Sequence, residues 1–160
     1  MAKARKIKWD GAGGAAENAR KHLPKLAKAY FAEVRKVLAE DPAPEKMHPL
    51  RLASKRFRYS LELFRSCYAA GLEERIEQLK AVQDLLGDCN DAVTSASRLE
   101  KALRSEPVEC ERVRKYLEDL AEQKAAEFRR QWTGSFDAPG KQEWWTGYLA
   151  RNARPPAKTK

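Results

Sequence analysis

The segment from Met47 to Phe64 constrains the fold more than any other, because its side chains form two faces at helical spacing. A helix turns about 100° per residue. One face is apolar and continues one turn beyond the segment: Leu50, Ala53, Phe57, Leu61, Phe64 and Tyr68. The other face is cationic or proton-binding: His48, Arg51, Lys55 and Arg58. The segment therefore predicts a helix, the second of the chain and here called α2, with a buried side and a basic row, which we call the α2 row.

The α2 row has two interpretations. Cations on a helix usually form a solvated face that keeps a protein soluble. However, no Asp or Glu occurs between Glu45 and Glu62, and like charges along one helix face repel one another weakly. An unneutralised row extending over roughly 15 Å therefore indicates a missing partner with repeated negative charge.

The rest of the chain predicts three more helices and no strand. They cover approximately 15–39, 73–103 and 108–132, and the second helix is expected to end near Ala70 with Gly71 as its cap. Prolines in 41–46 and at Pro107 mark the loops. Short loops between helices favour an all-α antiparallel four-helix bundle. On the fourth helix we expect four side chains to pack inward: Val113, Leu117, Leu120 and Phe128.

The predicted bundle spans 15–138, between two segments of different composition. Residues 1–14 are expected to be a flexible basic arm, because they end in a glycine cluster. Residues 139–160 form a tail that is first aromatic and then basic. Its aromatic side chains, Trp144, Trp145 and Tyr148, could dock on the bundle, on a second subunit or on nothing.

The composition narrows the functional classes. The chain has 160 residues, which indicates one domain, and a net charge of +9, which indicates a polyanionic partner. That partner could be nucleic acid, an acidic membrane surface or a phosphate polymer. Cys67, Cys89 and Cys110 fit neither a disulfide framework nor a zinc motif, which favours reduced thiols and a cytoplasmic location. No run is apolar enough for membrane insertion.

Catalysis has no support in the sequence. The two histidines, His22 and His48, have no Cys or carboxylate at metal-ligand spacing. No P-loop and no nucleophile elbow occurs. We therefore expect a protein that is not an enzyme and uses no cofactor.

Two segments together resemble the CHAD family, the "conserved histidine α-helical domain". The first is the order His48, Arg51, Lys55, Arg58, Tyr59, followed by Glu62 and Phe64. The second is LKAVQDLLGDCNDA, from Leu79 to Ala92. The resemblance implies a helical protein that binds inorganic polyphosphate, and Lys80 matches a basic position of the second signature. We expect Gln83 and Asp91 to orient neighbouring Arg or Tyr side chains.

The resemblance also implies a larger assembly. Members of the family usually carry two four-helix halves related by an approximate two-fold axis, whereas this chain has one. We therefore expect a homodimer. Some members travel to polyphosphate granules, so granules are an expected location as well as the cytoplasm.

The sequence thus predicts a non-enzymatic polyphosphate-binding module. Arg51, Lys55 and Arg58 would contact phosphate directly, and His48 would donate a hydrogen bond. The first predicted helix, 15–39 and here called α1, carries a second basic stripe, the α1 stripe, which would form the opposite wall of the groove or simply be solvated: Lys21, Lys25, Lys28 and Arg35.

Two other functions stay open at this point. Non-specific nucleic-acid binding is one, with nucleic acid otherwise a weaker competitor of polyphosphate. A histidine phosphotransfer domain is the other, because Arg51 follows His48 by three residues. The phosphotransfer motif needs a small residue one turn after the histidine, and here Leu52 is in that place.

Overall fold

The computed structural model describes residues 7–102 and 107–155, which form five α-helices. They are α1 (Ala15–Leu38), α2 (His48–Leu63), α3 (Gly71–Ala102), α4 (Pro107–Gln131) and α5 (Lys141–Arg151). Short 3₁₀ turns at Pro44–Lys46 and Arg65–Cys67 and a π turn at Trp132–Phe136 connect them. The described residues contain no strand, so the predicted all-α bundle is confirmed. The fifth helix was not predicted.

The corner between α2 and α3 differs from the prediction. α2 ends at Leu63 rather than near Ala70, because the chain leaves the helix at Phe64 and turns through Arg65–Cys67. Gly71 is the first residue of α3 and not a cap. A β-carbon at Gly71 would lie 2.7 Å from Cε2 of Tyr148. Glycine is therefore needed here for the close approach of α5.

The core is an aromatic cluster drawn from every helix except α3. Tyr30 stacks on Phe57 with a ring separation of 5.0 Å, and Trp132 stacks on Phe136 at 4.9 Å. Phe136 also contacts Trp145 at 5.3 Å. Aliphatic side chains of α3 close the core on the remaining side: Leu72, Ile76, Leu79, Val82 and Leu86. Burial of these side chains is the main force that holds the bundle together.

The aromatic part of the predicted tail docks on the bundle. Trp145 and Leu149 of α5 are fully buried, because their spacing of four residues puts them on one helix face. The chain beyond α5 stays attached, since Arg20 donates a hydrogen bond to the carbonyl of Ala153 at 2.6 Å. Residues 156–160 of the basic end lie outside the described residues.

Residues 7–14 of the predicted basic arm, the part that the structure describes, contact the bundle. The side-chain amide of Asn18 donates to the carbonyl oxygens of Asp10 and Gly13, at 3.0 Å each. Trp9 packs against the rings of His22 and Phe64, at 5.2 and 5.3 Å. Residues 1–6, which hold most of the arm's cations, lie outside the described residues.

The α3–α4 hairpin extends beyond the core. Of the four α4 side chains predicted to pack inward, only Phe128 is buried. Val113 is 42% exposed, and Leu117 and Leu120 are half-buried. The prediction for Val113 was wrong because this end of α3 and α4 extends beyond the helices that would cover it. No described side chain between Ala92 and Ala121 is fully buried.

Candidate anion-binding site

The α2 row faces α3 along the seam between these two helices. Nδ1 of His48 lies 2.8 Å from Oδ1 of Asn90, and Nε of Arg58 donates to Oε1 of Gln83 at 2.9 Å. Between them, Nε of Arg51 lies 3.9 Å from the place where a β-carbon would stand on Gly87. These α3 positions are spaced four and three residues apart, so they share one face. The two helices thus line a common polar seam.

His48 is at the beginning of α2, where the helix itself favours anions. His48 is the first residue of the helix and is exposed, and Pro49 occupies the first turn, as predicted. The first N–H groups of a helix lack internal partners and carry a partial positive charge. Asn90 orients the imidazole ring, and the donor of their hydrogen bond depends on the ring's tautomer. This end of the seam therefore combines two kinds of anion-attracting group.

The two cations in the middle of the row have no carboxylate partner among the described residues. Within residues 7–102 and 107–155, neither Arg51 nor Lys55 forms an ion pair with a carboxylate. Both side chains are half-buried. Nε of Arg51 is buried and makes no hydrogen bond in the described part of the chain. A partly desolvated cation without an internal partner is costly, which an external anion would relieve.

The far end of the row is partly neutralised. Nη1 of Arg58 donates to Oε1 of Glu62 at 3.0 Å, one turn further along α2. The expectation of a row without counter-charge therefore fails at this residue, since Glu62 reaches back to it. Gln83 accepts from the same guanidinium, which confirms its predicted role as an orienting side chain. Asp91 is exposed and forms no side-chain hydrogen bond among the described residues.

Lys80 belongs to the α3 side of the seam. It precedes Gln83, Gly87 and Asn90 by three, seven and ten residues, which places all four on one face of α3. Its side chain is exposed, and Nζ lies 3.4 Å from Oε1 of Glu77. An exposed pair of this kind is weak, so the ammonium group stays available to an anion.

The α1 stripe lies elsewhere. Lys21, Lys25 and Lys28 are exposed on the side of α1 that points away from the core. Arg35 forms two hydrogen bonds with Asp137, at 2.7 and 2.5 Å, and these raise the pKa of its guanidinium. The predicted arrangement is therefore corrected: the helix opposite the α2 row is α3 and not α1.

The α2 surface that meets α1 explains this arrangement. Ser54 accepts a hydrogen bond from the hydroxyl of Tyr30 at 2.8 Å and donates to the carbonyl of Leu50. Arg56, which lies on a different part of α2 from the row, is 3.5 Å from Glu33 of α1. Contacts with α1 thus use one side of α2, and the row occupies another.

Sequence reasoning missed two residues of the site, Asn90 and Gly87. Both lie in the segment from Leu79 to Ala92, and their spacing from Gln83 was a usable signal. In the described part of the chain, no cluster of three His, Cys, Asp or Glu side chains could hold a metal ion. No described helix has the length and apolar character needed to cross a membrane.

Comparison with known proteins gives one match. The family model described as CHAD domain matches residues 2–100, which is more than half of the chain. The match includes α1, α2 and nearly all of α3 and excludes α4 and α5. No curated protein and no solved structure matches the sequence.

Proposed function

The chain belongs to the CHAD domain family, and from this premise we propose that it binds inorganic polyphosphate along the seam between α2 and α3. The observation that carries the proposal is the state of Arg51 and Lys55. Both are half-buried cations without a carboxylate partner in the described part of the chain. His48 and Arg58 extend the row on either side of them. A chain of phosphates supplies repeated negative charge along one line, as the row requires.

Each residue of the seam has a distinct role in this proposal. Arg51 bridges two phosphate oxygens with its planar guanidinium, whereas Lys55 acts as a point charge. His48 donates a hydrogen bond next to the free N–H groups of the α2 N-terminus. Arg58 and Lys80 contribute less, because each already has a carboxylate nearby. Gln83 and Asn90 position Arg58 and His48.

The proposed activity is binding without catalysis. For histidine phosphotransfer, a partner protein would have to reach the imidazole ring of His48. Nδ1 of that ring is occupied by Asn90 at 2.8 Å, and Leu52, one turn further on, is 37% exposed where a small residue would be needed. Binding therefore fits the site better. The cytoplasmic location, the granules and the homodimer stay predictions.

The test is a titration of the full chain with long-chain polyphosphate at near-physiological ionic strength, in the presence and absence of excess duplex DNA. We expect polyphosphate to bind and DNA not to displace it. Affinity should decrease steeply with salt, because binding to a polyelectrolyte releases counterions. Complete displacement by DNA would favour the nucleic-acid alternative.

A matched pair of variants separates a built site from diffuse attraction. Arg51→Glu combined with Lys55→Glu lowers the net charge of the chain by four, from +9 to +5. Arg98→Glu combined with Lys115→Glu makes the same change at two exposed positions of the α3–α4 hairpin. We expect the seam variant to lose at least about 30-fold in affinity, on the order of 2 kcal/mol, and the hairpin variant much less. Equal losses would refute the seam.

A further inference from the structure

The part of the α3–α4 hairpin that projects beyond the core carries an exposed apolar stripe on α4. The stripe consists of Val113, Tyr116 and Leu120, spaced three and four residues apart on one helix face. Val113 is 42% and Tyr116 is 65% exposed, and Leu120 is half-buried. We call it the α4 stripe. Two helices that pack only on each other bury little apolar surface. Contact with a further helix would therefore stabilise this hairpin.

The charges around the α4 stripe are arranged symmetrically. Arg112 precedes Tyr116 by four residues and Asp119 follows it by three, and both lie on the same flank of the stripe. Neither forms an ion pair among the described residues. A copy of α4 laid antiparallel across the stripe would therefore place Arg112 against the partner's Asp119, and Asp119 against the partner's Arg112.

The charge balance of the hairpin also allows self-association. Residues 93–120 contain six Lys or Arg and six Asp or Glu, and thus no net charge, in a chain whose total is +9. Two copies that meet at a segment without net charge repel each other less than two copies that meet at a basic surface.

We propose that the α4 stripe is the contact surface for a second copy of this chain, docked with the two α4 helices antiparallel about a two-fold axis near Tyr116. In this arrangement Val113 faces the partner's Leu120, and the two Tyr116 rings meet at the axis. A two-fold interface repeats every contact. Three apolar side chains per copy therefore contribute six. The proposal rests on the hairpin alone and does not depend on polyphosphate binding.

The first test is sedimentation equilibrium of the full chain over a range of micromolar concentrations, without polyphosphate. We expect a concentration-dependent dimer. Tyr116→Glu should weaken dimerisation by at least about tenfold, because it places two carboxylates together at the axis. Tyr59→Glu is the matched control, since Tyr59 is 53% exposed on α2, and it should leave the dissociation constant nearly unchanged.

The second test uses charge reversal to determine the docking geometry. Arg112→Glu and Asp119→Arg should each weaken self-association, because like charges then meet twice across the axis. An equimolar mixture of the two variants should associate again, since both contacts of the mixed dimer join opposite charges. In a parallel arrangement Arg112 would face the partner's Arg112 and Asp119 the partner's Asp119, so neither single variant would weaken association relative to the wild type.

Three results would overturn the proposal: a wild-type monomer at every concentration, equal effects of Tyr116→Glu and Tyr59→Glu, or no recovery in the mixture. Circular dichroism of each variant checks that the helices are intact. The polyphosphate titration is a separate measurement on the α2–α3 seam. If polyphosphate does not bind, the proposed dimer is unaffected. If the chain does not dimerise, the proposed polyphosphate site is unaffected.

Discussion

The guanidinium of Arg75 lies 3.4 Å from the centre of the Trp144 ring. The ring of Tyr148 covers its other face at 3.9 Å, and the carbonyls of Gly71 and Trp144 accept its hydrogen bonds at 2.9 and 2.8 Å. Arg75 is only 3% exposed, and burial lowers its pKa to about 10. It is therefore still charged at neutral pH, held by two aromatic faces, and it joins α3 to α5.

Replacement of Arg75 should destabilise the fold. Arg75→Met removes the cation–π contacts with Trp144 and Tyr148 and both hydrogen bonds, and we expect a loss of about 3 kcal/mol in the free energy of unfolding. Arg75→Lys should recover less than half, because an ammonium group cannot lie flat between two rings. Urea unfolding followed by circular dichroism measures both losses.

The matched control for Arg75 is Lys141→Met. Nζ of Lys141 lies 4.6 Å from the centre of the same Trp144 ring but is less buried than Arg75. We expect a loss below about 1 kcal/mol. Equal losses of stability for Arg75→Met and Lys141→Met would mean that burial of Arg75 between two rings adds no stability beyond that of a more exposed cation–π contact.

Two glycines of α3 should respond to alanine with opposite signs. A β-carbon at Gly87 would have Arg51 Nε at 3.9 Å, which is an ordinary contact. Gly87→Ala should therefore stabilise the protein by up to about 1 kcal/mol through helix propensity. At Gly71 the β-carbon would lie 2.7 Å from Tyr148, so Gly71→Ala should destabilise. Thermal unfolding of both variants tests this, and the same sign for both would contradict it.

Acidification should weaken the fold through His22. Burial, together with Lys21 and Lys25, lowers the pKa of His22 below its usual 6.5. The unfolded chain therefore binds the proton more readily than the folded one, and stability decreases as pH falls through 6.5 toward the folded pKa. His22→Leu should lose less stability between pH 7.5 and 5.5 than the wild type. Parallel urea unfolding of both proteins at each pH measures the difference, and identical pH profiles would rule out this role.

The α1 stripe should matter less for polyphosphate than the α2 row. Lys25→Glu combined with Lys28→Glu lowers the net charge as much as the seam variant does, at two exposed positions of α1. We expect a loss of affinity well below that of Arg51→Glu with Lys55→Glu, because only long-range attraction is reduced. Competition binding at two salt concentrations compares them. An equal loss would place α1 in the binding surface.

Periodicity in the sequence predicted the helices but not how they fit together. The α2 row followed from spacing within one helix, whereas the helix opposite depended on tertiary contacts such as His48 with Asn90. The α4 pattern at Val113, Leu117 and Leu120 indicated an apolar face. The pattern could not indicate that the α3–α4 hairpin extends beyond the other helices, because this depends on the relative lengths of the packed helices.

The fifth helix shows a different limit. Trp145 and Leu149 have the spacing of a buried helix face, but the segment is short and follows Pro139 and Gly140. Eleven residues rarely form a helix in isolation. α5 is stabilised by contacts of its aromatic side chains with Arg75, Tyr68 and the core. Contacts between residues so far apart in the chain cannot be predicted from the local sequence.

The family match ends at residue 100, but the aromatic core does not. Phe128, Trp132, Phe136 and Trp145 are all nearly inaccessible to solvent and come from the unmatched portion. A fragment that stops at residue 100 would leave the partner rings of Tyr30, Phe31 and Phe57 uncovered, and such surfaces promote aggregation. The segment that the family model matches is thus smaller than the packed core, and truncations should preserve the core.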